Sequence, residues 1–217
     1  LILLRFDWIL KSFFKKFINL EIENKISKID LNENTSCYTR IPDFELYDKY
    51  RDKILKWLNI KENTKIEVNK ILNEIKNNNT ETCSIHIRQG DYLKQRKSFN
   101  YKNIGWALPI EYYKYIIQNH IPKNIFYIII TDDKKYVEEN FNFLSNKYIS
   151  SSTDEVVDLL LFASAKYNIT ANSTFSMFGA WLNIVEDKII YAPKYNIGWH
   201  KKEWYPKNIE YKNFTYV

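Results

Sequence analysis

From residue 80 onward, short runs of β-branched and aromatic residues alternate with longer amphipathic runs. That alternation narrows the possible folds more than any other feature of the chain. "CSIHIR" (83–88), "IFYIII" (125–130), "YNIT" (167–170) and "KIIYAP" (188–193) are short apolar stretches of strand length. Between them, "PIEYYKYIIQNH" is opened by Pro109, and "STDEVVDLLLFASAK" carries the capping-box pair Ser152 and Glu155. "STFSMFGAWLNIV" (173–185) is a further helical run. Strands separated by helices in this way predict a parallel sheet covered on both faces, an α/β fold.

The first 79 residues have a different character. Helical spacing runs from about Phe44 to Leu58 and from about Lys65 to Lys76, and "NNNTET" (77–82) reads as a loop. The expected division is a mainly helical region, 1–79, followed by an α/β domain, 80–217. Near the start, Phe6, Ile9, Leu10, Phe13, Phe14, Phe17 and Ile18 recur at helical spacing, while Arg5, Asp7, Lys11, Lys15 and Lys16 interrupt the run. So charged a stretch neither spans a bilayer nor reads as a signal peptide. It predicts a core-facing amphipathic helix, with a peripheral helix on the inner membrane surface as the alternative.

A net charge of +6, from 32 basic and 26 acidic residues, suits an anionic partner. The basic residues are spread along the chain, with no arginine-rich tail and no zinc-type cysteine spacing, so nucleic acid is not the expected partner. Cys37 and Cys83 are too few and too far apart for a disulfide framework; free thiols in the cytoplasm are expected.

Ligands of doubly wound sheets sit beyond the carboxyl ends of the strands, and the polar residues gather there. "CSIHIR" carries His86 and Arg88 on one face by strand alternation, then exits through Gln89, Gly90 and Asp91. "IFYIII" ends in Thr131 and Asp132, and "YNIT" ends in "ANSTFS", which opens a helix. A helix N-terminus offers unpaired N–H groups and the positive end of a dipole, a seat for phosphate. Ser173, Thr174 and Ser176 add hydroxyls, and Arg88 adds a planar fork for a phosphate oxygen pair. Asp132 is suited to accept from the donors of a guanine edge. Together these residues predict a nucleoside-diphosphate site. The competing readings are an ordinary N-cap at Asn172–Ser173, a turn aspartate, and a structural His86/Arg88 pair.

The same residues carry a family resemblance. "IHIRQGDY" resembles the His-x-Arg-Arg-Gly-Asp-Tyr motif of bacterial α-1,2-fucosyltransferases, glycosyltransferase family 11. "FYIIITDDKKYVEENF" resembles that family's second block, "DLLLFASAKYNITANSTFSMFGAWLN" its third, and "YAPKYN" with the later "WYP" its closing segment. The resemblance implies a GT-B-like enzyme, here a Rossmann-like donor-binding domain preceded by a partial, mainly helical acceptor-side region. It implies inverting transfer of L-fucose from GDP-β-L-fucose to the 2-hydroxyl of a galactose-terminated cell-surface glycan, with no cofactor and no essential metal.

Carried over by position, Arg88 binds the diphosphate and stabilises the departing GDP. His86 and Asp132 contact the nucleotide, with Asp132 on guanine, and Asn172, Ser173, Thr174, Phe175 and Ser176 line the pocket. Asp91 is either the base for the acceptor hydroxyl or a turn residue at the strand exit. Gln89 stands where the family usually has a second arginine, and Met177-Phe178 where it has Trp-Trp. The family's opening glycine-rich segment, Gly-Gly-Leu-Gly-Asn-Gln-Met-Phe-Gln, is not present. The expectation is therefore a truncated acceptor side and an intact donor side, the alternative being a non-catalytic GDP-sugar-binding remnant or partner subunit.

Overall fold

A computed structural model describes residues 44–76, 81–94, 105–204 and 209–217. The amphipathic run Phe6–Ile18 and Cys37 lie outside the described residues. Among the described residues, six parallel strands form one sheet in the order β3-β2-β1-β4-β5-β6. They are β1 Thr82–Ile87, β2 Phe126–Thr131, β3 Lys147–Ile149, β4 Tyr167–Ile169, β5 Ile189–Ala192 and β6 Thr215–Tyr216. The α-helices among the described residues are α1 Phe44–Lys49, α2 Arg51–Trp57, α3 Glu62–Lys76, α4 Gly90–Lys94, α5 Ile110–His120, α6 Lys134–Asn140, α7 Glu155–Phe162 and α8 Thr174–Leu182. The α/β class and the parallel sheet are as expected. The strand order is that of a doubly wound nucleotide-binding fold, reversing between β1 and β4.

Alternation along β1 divides its side chains between two helical layers. Cys83, Ile85 and Ile87 share a core with Tyr112, Tyr113 and Ile116 of α5 and with Val137 of α6. Ser84 and His86 face the other way: the Ser84 hydroxyl donates to the Phe162 carbonyl at 2.9 Å, and the His86 ring lies 6.3 Å from that of Phe162. Polar side chains in the two central strands run against the expected apolar strand core, and they have a task. The carbonyls at the end of α7 lack helical partners. Asn168 of β4 donates to Phe162 O at 2.6 Å, and Asn183 donates to Ala165 O at 2.8 Å and to Asn168 Oδ1 at 2.7 Å.

Several boundaries differ from expectation. The run Phe44–Leu58 breaks at Tyr50 into α1 and α2, turning Arg51 toward α8. The third helix begins at Glu62, three residues earlier than its periodicity suggests. The helix after "STDE" is capped by Asp154 and not by Ser152. The Asp154 carboxylate accepts from Val156 N–H at 2.9 Å, while Ser152 Oγ closes a turn onto the Asp154 backbone. That helix stops at Phe162, so "ASAK" is the connection into β4.

The far end of α8 is fastened by the helices that precede the sheet. Arg51 donates to Trp181 O at 2.7 Å and to Leu182 O at 3.4 Å, with its guanidinium 4.5 Å from the Trp181 ring. The Asp48 carboxylate accepts from Trp181 Nε1 at 2.9 Å and from the Tyr211 hydroxyl at 2.8 Å. Phe44 of α1 packs on Tyr211 and Phe214, ring to ring at 4.9 and 5.5 Å.

Candidate nucleotide site at the strand-order reversal

β1 and β4 are neighbours from which the sheet is wound in opposite directions, so the loops leaving their carboxyl ends diverge and open a crevice. The β1–α4 loop supplies Arg88, Gln89, Gly90, Asp91 and Tyr92; the β4–α8 loop supplies Asn172 and Ser173, followed by Thr174 to Ser176 in the first turn of α8.

β1 ends at Ile87, so the direction of Arg88 is set by its partners and not by strand alternation. One guanidinium nitrogen lies 2.7 Å from Asp91 Oδ1 and another 3.1 Å from Asp132 Oδ2 at the end of β2. Asp132 Oδ1 also accepts from the Gln89 N–H at 2.9 Å, so this carboxylate holds both the side chain and the backbone of the loop. The Arg88 side chain is 20% exposed, leaving its remaining N–H donors at the crevice.

His86 is 5% exposed, with its ring 5.0 Å from that of Phe175. Burial, reinforced by the nearby Arg88 charge, pulls its pKa down to about 3, so the imidazole is neutral at physiological pH. His86 Nδ1, Thr170 Oγ1 and Asn172 Oδ1 are buried without a hydrogen-bond partner among the described residues. Buried polar atoms are ordinarily paired, so three orphans at the ends of β1 and β4 mark a place where a polar ligand or water belongs.

Ser173 is the N-cap of α8 and makes no side-chain capping bond, Thr174 is exposed and Phe175 is half-buried. Ser176 is fully buried, its hydroxyl shared between the carbonyls of Ala171 and Ser173 at 3.2 Å each. It therefore holds the turn into α8, whereas the sequence suggested a hydroxyl facing the ligand. Of the nine residues singled out from the sequence, His86 lies near the end of β1, and the other eight lie on the loops and helix starts that follow β1, β2 and β4. Tyr92 and Trp106 also belong there: the Tyr92 phenol donates to Asn172 O at 3.3 Å, and Asn172 Nδ2 donates to Trp106 O at 2.7 Å. Tyr92 closes the motif "IHIRQGDY", a signal that could have found it, whereas the contacts it and Trp106 make span 66 to 80 positions and leave no local pattern.

A cavity of about 300 Å³ lies elsewhere, at the amino ends of the strands, lined by Asp48, Arg51, Trp181, Lys188 and Tyr211 among others. Asp48 and Arg51 are engaged there with Trp181, Tyr211 and the α8 carbonyls. Among the described residues, no three His, Cys, Asp or Glu side chains are grouped to hold a metal ion. No described helix is long and apolar enough to cross a membrane.

Comparison with known proteins agrees with the resemblance read from the motifs. The model of glycosyl transferase family 11 matches residues 11–216. The chain is 30% identical over 200 residues to the O-antigen biosynthesis glycosyltransferase WbnK of Escherichia coli, covering 89% of this chain and 63% of that protein. It is 34% identical over 120 residues to an alpha-1,2-colitosyltransferase of Escherichia coli, covering 52% and 40% respectively. The chain thus spans less than two thirds of the length of these relatives. Among solved structures, NodZ alpha-1,6-fucosyltransferase soaked with GDP-fucose is similar over 62% of this chain and 47% of that one, with a TM-score of 0.46 and 12% identity.

Proposed function

The chain belongs to glycosyltransferase family 11, and from that premise we propose that its crevice binds GDP-β-L-fucose and that the protein transfers fucose, with inversion, to the 2-hydroxyl of a galactoside in a cell-surface glycan. The observation that carries this reading is the position of the Arg88 fork and the start of α8 on the two strands where the sheet order reverses. A diphosphate lying across that point meets a guanidinium from one side and helix N–H groups from the other.

In this reading the bond between fucose C1 and the β-phosphate oxygen breaks, and its electron pair passes to the phosphate. Arg88 and the first turn of α8 neutralise the charge that builds there, the electrostatic contribution that usually dominates such reactions. The acceptor hydroxyl attacks the opposite face of C1, and its proton passes to Asp91, whose side chain is 41% exposed beside the fork. Neutral His86 serves the nucleotide as a hydrogen-bonding group without adding charge. Asp132 secures Arg88, and its remaining lone pairs accept from the guanine edge. The enzyme works without a metal, in the cytoplasm or against the inner face of the membrane.

Calorimetric titration with GDP, GDP-fucose, GDP-mannose and UDP-galactose, followed by a panel of galactosides, tests the reading. Tight binding of GDP compounds, unaffected by EDTA, with fucosyl transfer to one acceptor is expected. Binding of GDP-fucose without transfer to any galactoside supports a non-catalytic partner subunit. A preference for UDP-galactose would overturn both.

A further inference from the structure

Tyr92 joins the two loops of the crevice. Its ring lies against the Arg88 guanidinium, 5.5 Å from Cζ to the ring centroid, and its phenol donates to the Asn172 carbonyl at 3.3 Å. Its own carbonyl accepts from the Trp106 N–H at 3.0 Å, and Trp106 O accepts from Asn172 Nδ2 at 2.7 Å. The Tyr92 and Trp106 rings meet edge to face at 5.6 Å. A closed circuit of Tyr92, Trp106 and Asn172 therefore spans the point where the strand order reverses. Burial pushes the phenol up to about 12 against the pull of Arg88, so it stays a neutral donor at physiological pH.

The other two holds on Arg88, Asp91 and Asp132, are anions, and each repels an incoming phosphate while it steadies the fork. The ring of Tyr92 attracts the guanidinium through its quadrupole and carries no net charge. We propose that Tyr92 is a positioning residue for the donor: it keeps the Arg88 fork aimed and ties it to the β4–α8 loop, so that a nucleoside diphosphate meets both at a fixed separation. This rests on the reading of the crevice as a GDP site.

The test is a double-mutant cycle on GDP affinity, followed by ligand-observed NMR to millimolar GDP, with melting temperature measured on every variant. Tyr92→Leu is expected to weaken GDP about tenfold when Arg88 is present, the scale of a partly desolvated cation–π contact. In an Arg88→Ala background the same change is expected to cost less than about twofold, because there is no fork left to aim. Tyr92→Phe keeps the ring and is expected to stay within about threefold of the parent, as suits loss of one hydrogen bond. If Tyr92→Leu does not fold, Tyr92→Met takes its place in the cycle. Equal losses in both backgrounds would overturn the proposal while leaving the GDP site standing. A parent protein that does not bind GDP would overturn both.

Discussion

Gly90 and Asp132 approach so closely that a Cβ added to Gly90 would stand 2.5 Å from Asp132 Oδ2. The contact is steric: the carboxylate that anchors Arg88 occupies the space a side chain would need. Gly90→Ala is therefore expected to push Asp132 off Arg88 and off the Gln89 N–H. A pair with about a fifth of each side chain exposed contributes about 1 kcal/mol, so the melting temperature should fall by only about 2–4 °C. GDP affinity should fall about tenfold as the fork loses its aim, on the scale of one charge-assisted hydrogen bond. Unchanged affinity would show that Asp132 does not set the direction of Arg88.

Arg88→Lys should damage GDP binding nearly as much as Arg88→Ala. Lysine keeps the charge but loses the planar set of donors that serves Asp91, Asp132 and a phosphate together. A loss of about 10- to 100-fold in both variants, with near-parental melting temperatures, is the expected result in paired calorimetry and thermal melts. Normal affinity with a collapsed melting temperature would reduce Arg88 to half of a structural pair.

His86 gives the protein a specific acid sensitivity. Its folded pKa of about 3 lies below the unfolded value of 6.5, so the unfolded chain takes up a proton that the native state refuses. Stability contributed by this group is intact above pH 6.5 and declines as pH falls from there toward 3. Between pH 7 and pH 5 the loss should be about 2 kcal/mol, from 1.36 kcal/mol per unit of pKa difference over the titrated range. Urea unfolding at the two pH values measures it. His86→Gln should remove most of the difference; a difference that persisted would place the acid sensitivity elsewhere.

Asn183→Ala should unfold the protein more easily without touching the nucleotide. The change leaves Ala165 O and Asn168 Oδ1 short of a donor and Val185 N–H short of an acceptor, all beside the fully buried Asn183. A cost of about 3 kcal/mol fits the desolvation of buried groups left unpaired. Denaturant midpoints should shift while the GDP affinity of the folded protein stays unchanged.

The sequence made the architecture legible wherever a strand was long and apolar, as in "IFYIII", or a helix had a clear stripe, as in "PIEYYKYIIQNH". Elements that bury little escaped it. β3 is three half-buried residues at the sheet edge, β6 is two residues, and α6 buries only Val137. The strand pattern gave no reason for Ser84 and Asn168 to be polar, because their partner, the Phe162 carbonyl at the end of α7, is assigned only by the tertiary fold. At the crevice, residue type and strand-end position brought Arg88, Asp132 and the start of α8 together. The burial of Ser176, the hold of Asp132 on Arg88 and the Gln89 N–H, and the bridging by Tyr92 needed three dimensions, because each depends on a neighbour's direction and not on its spacing.

The attachment of α8 at both ends bears on where this protein could be divided. Its first turn forms one wall of the crevice, while its last turn is held by Arg51 and Asp48, residues that precede the sheet by more than twenty positions. A fragment beginning at residue 80 would keep every residue assigned to the nucleotide and lose both fasteners at the opposite tip of the helix. Like a tiller freed from its post, α8 could then swing, and the wall it gives the crevice would swing with it.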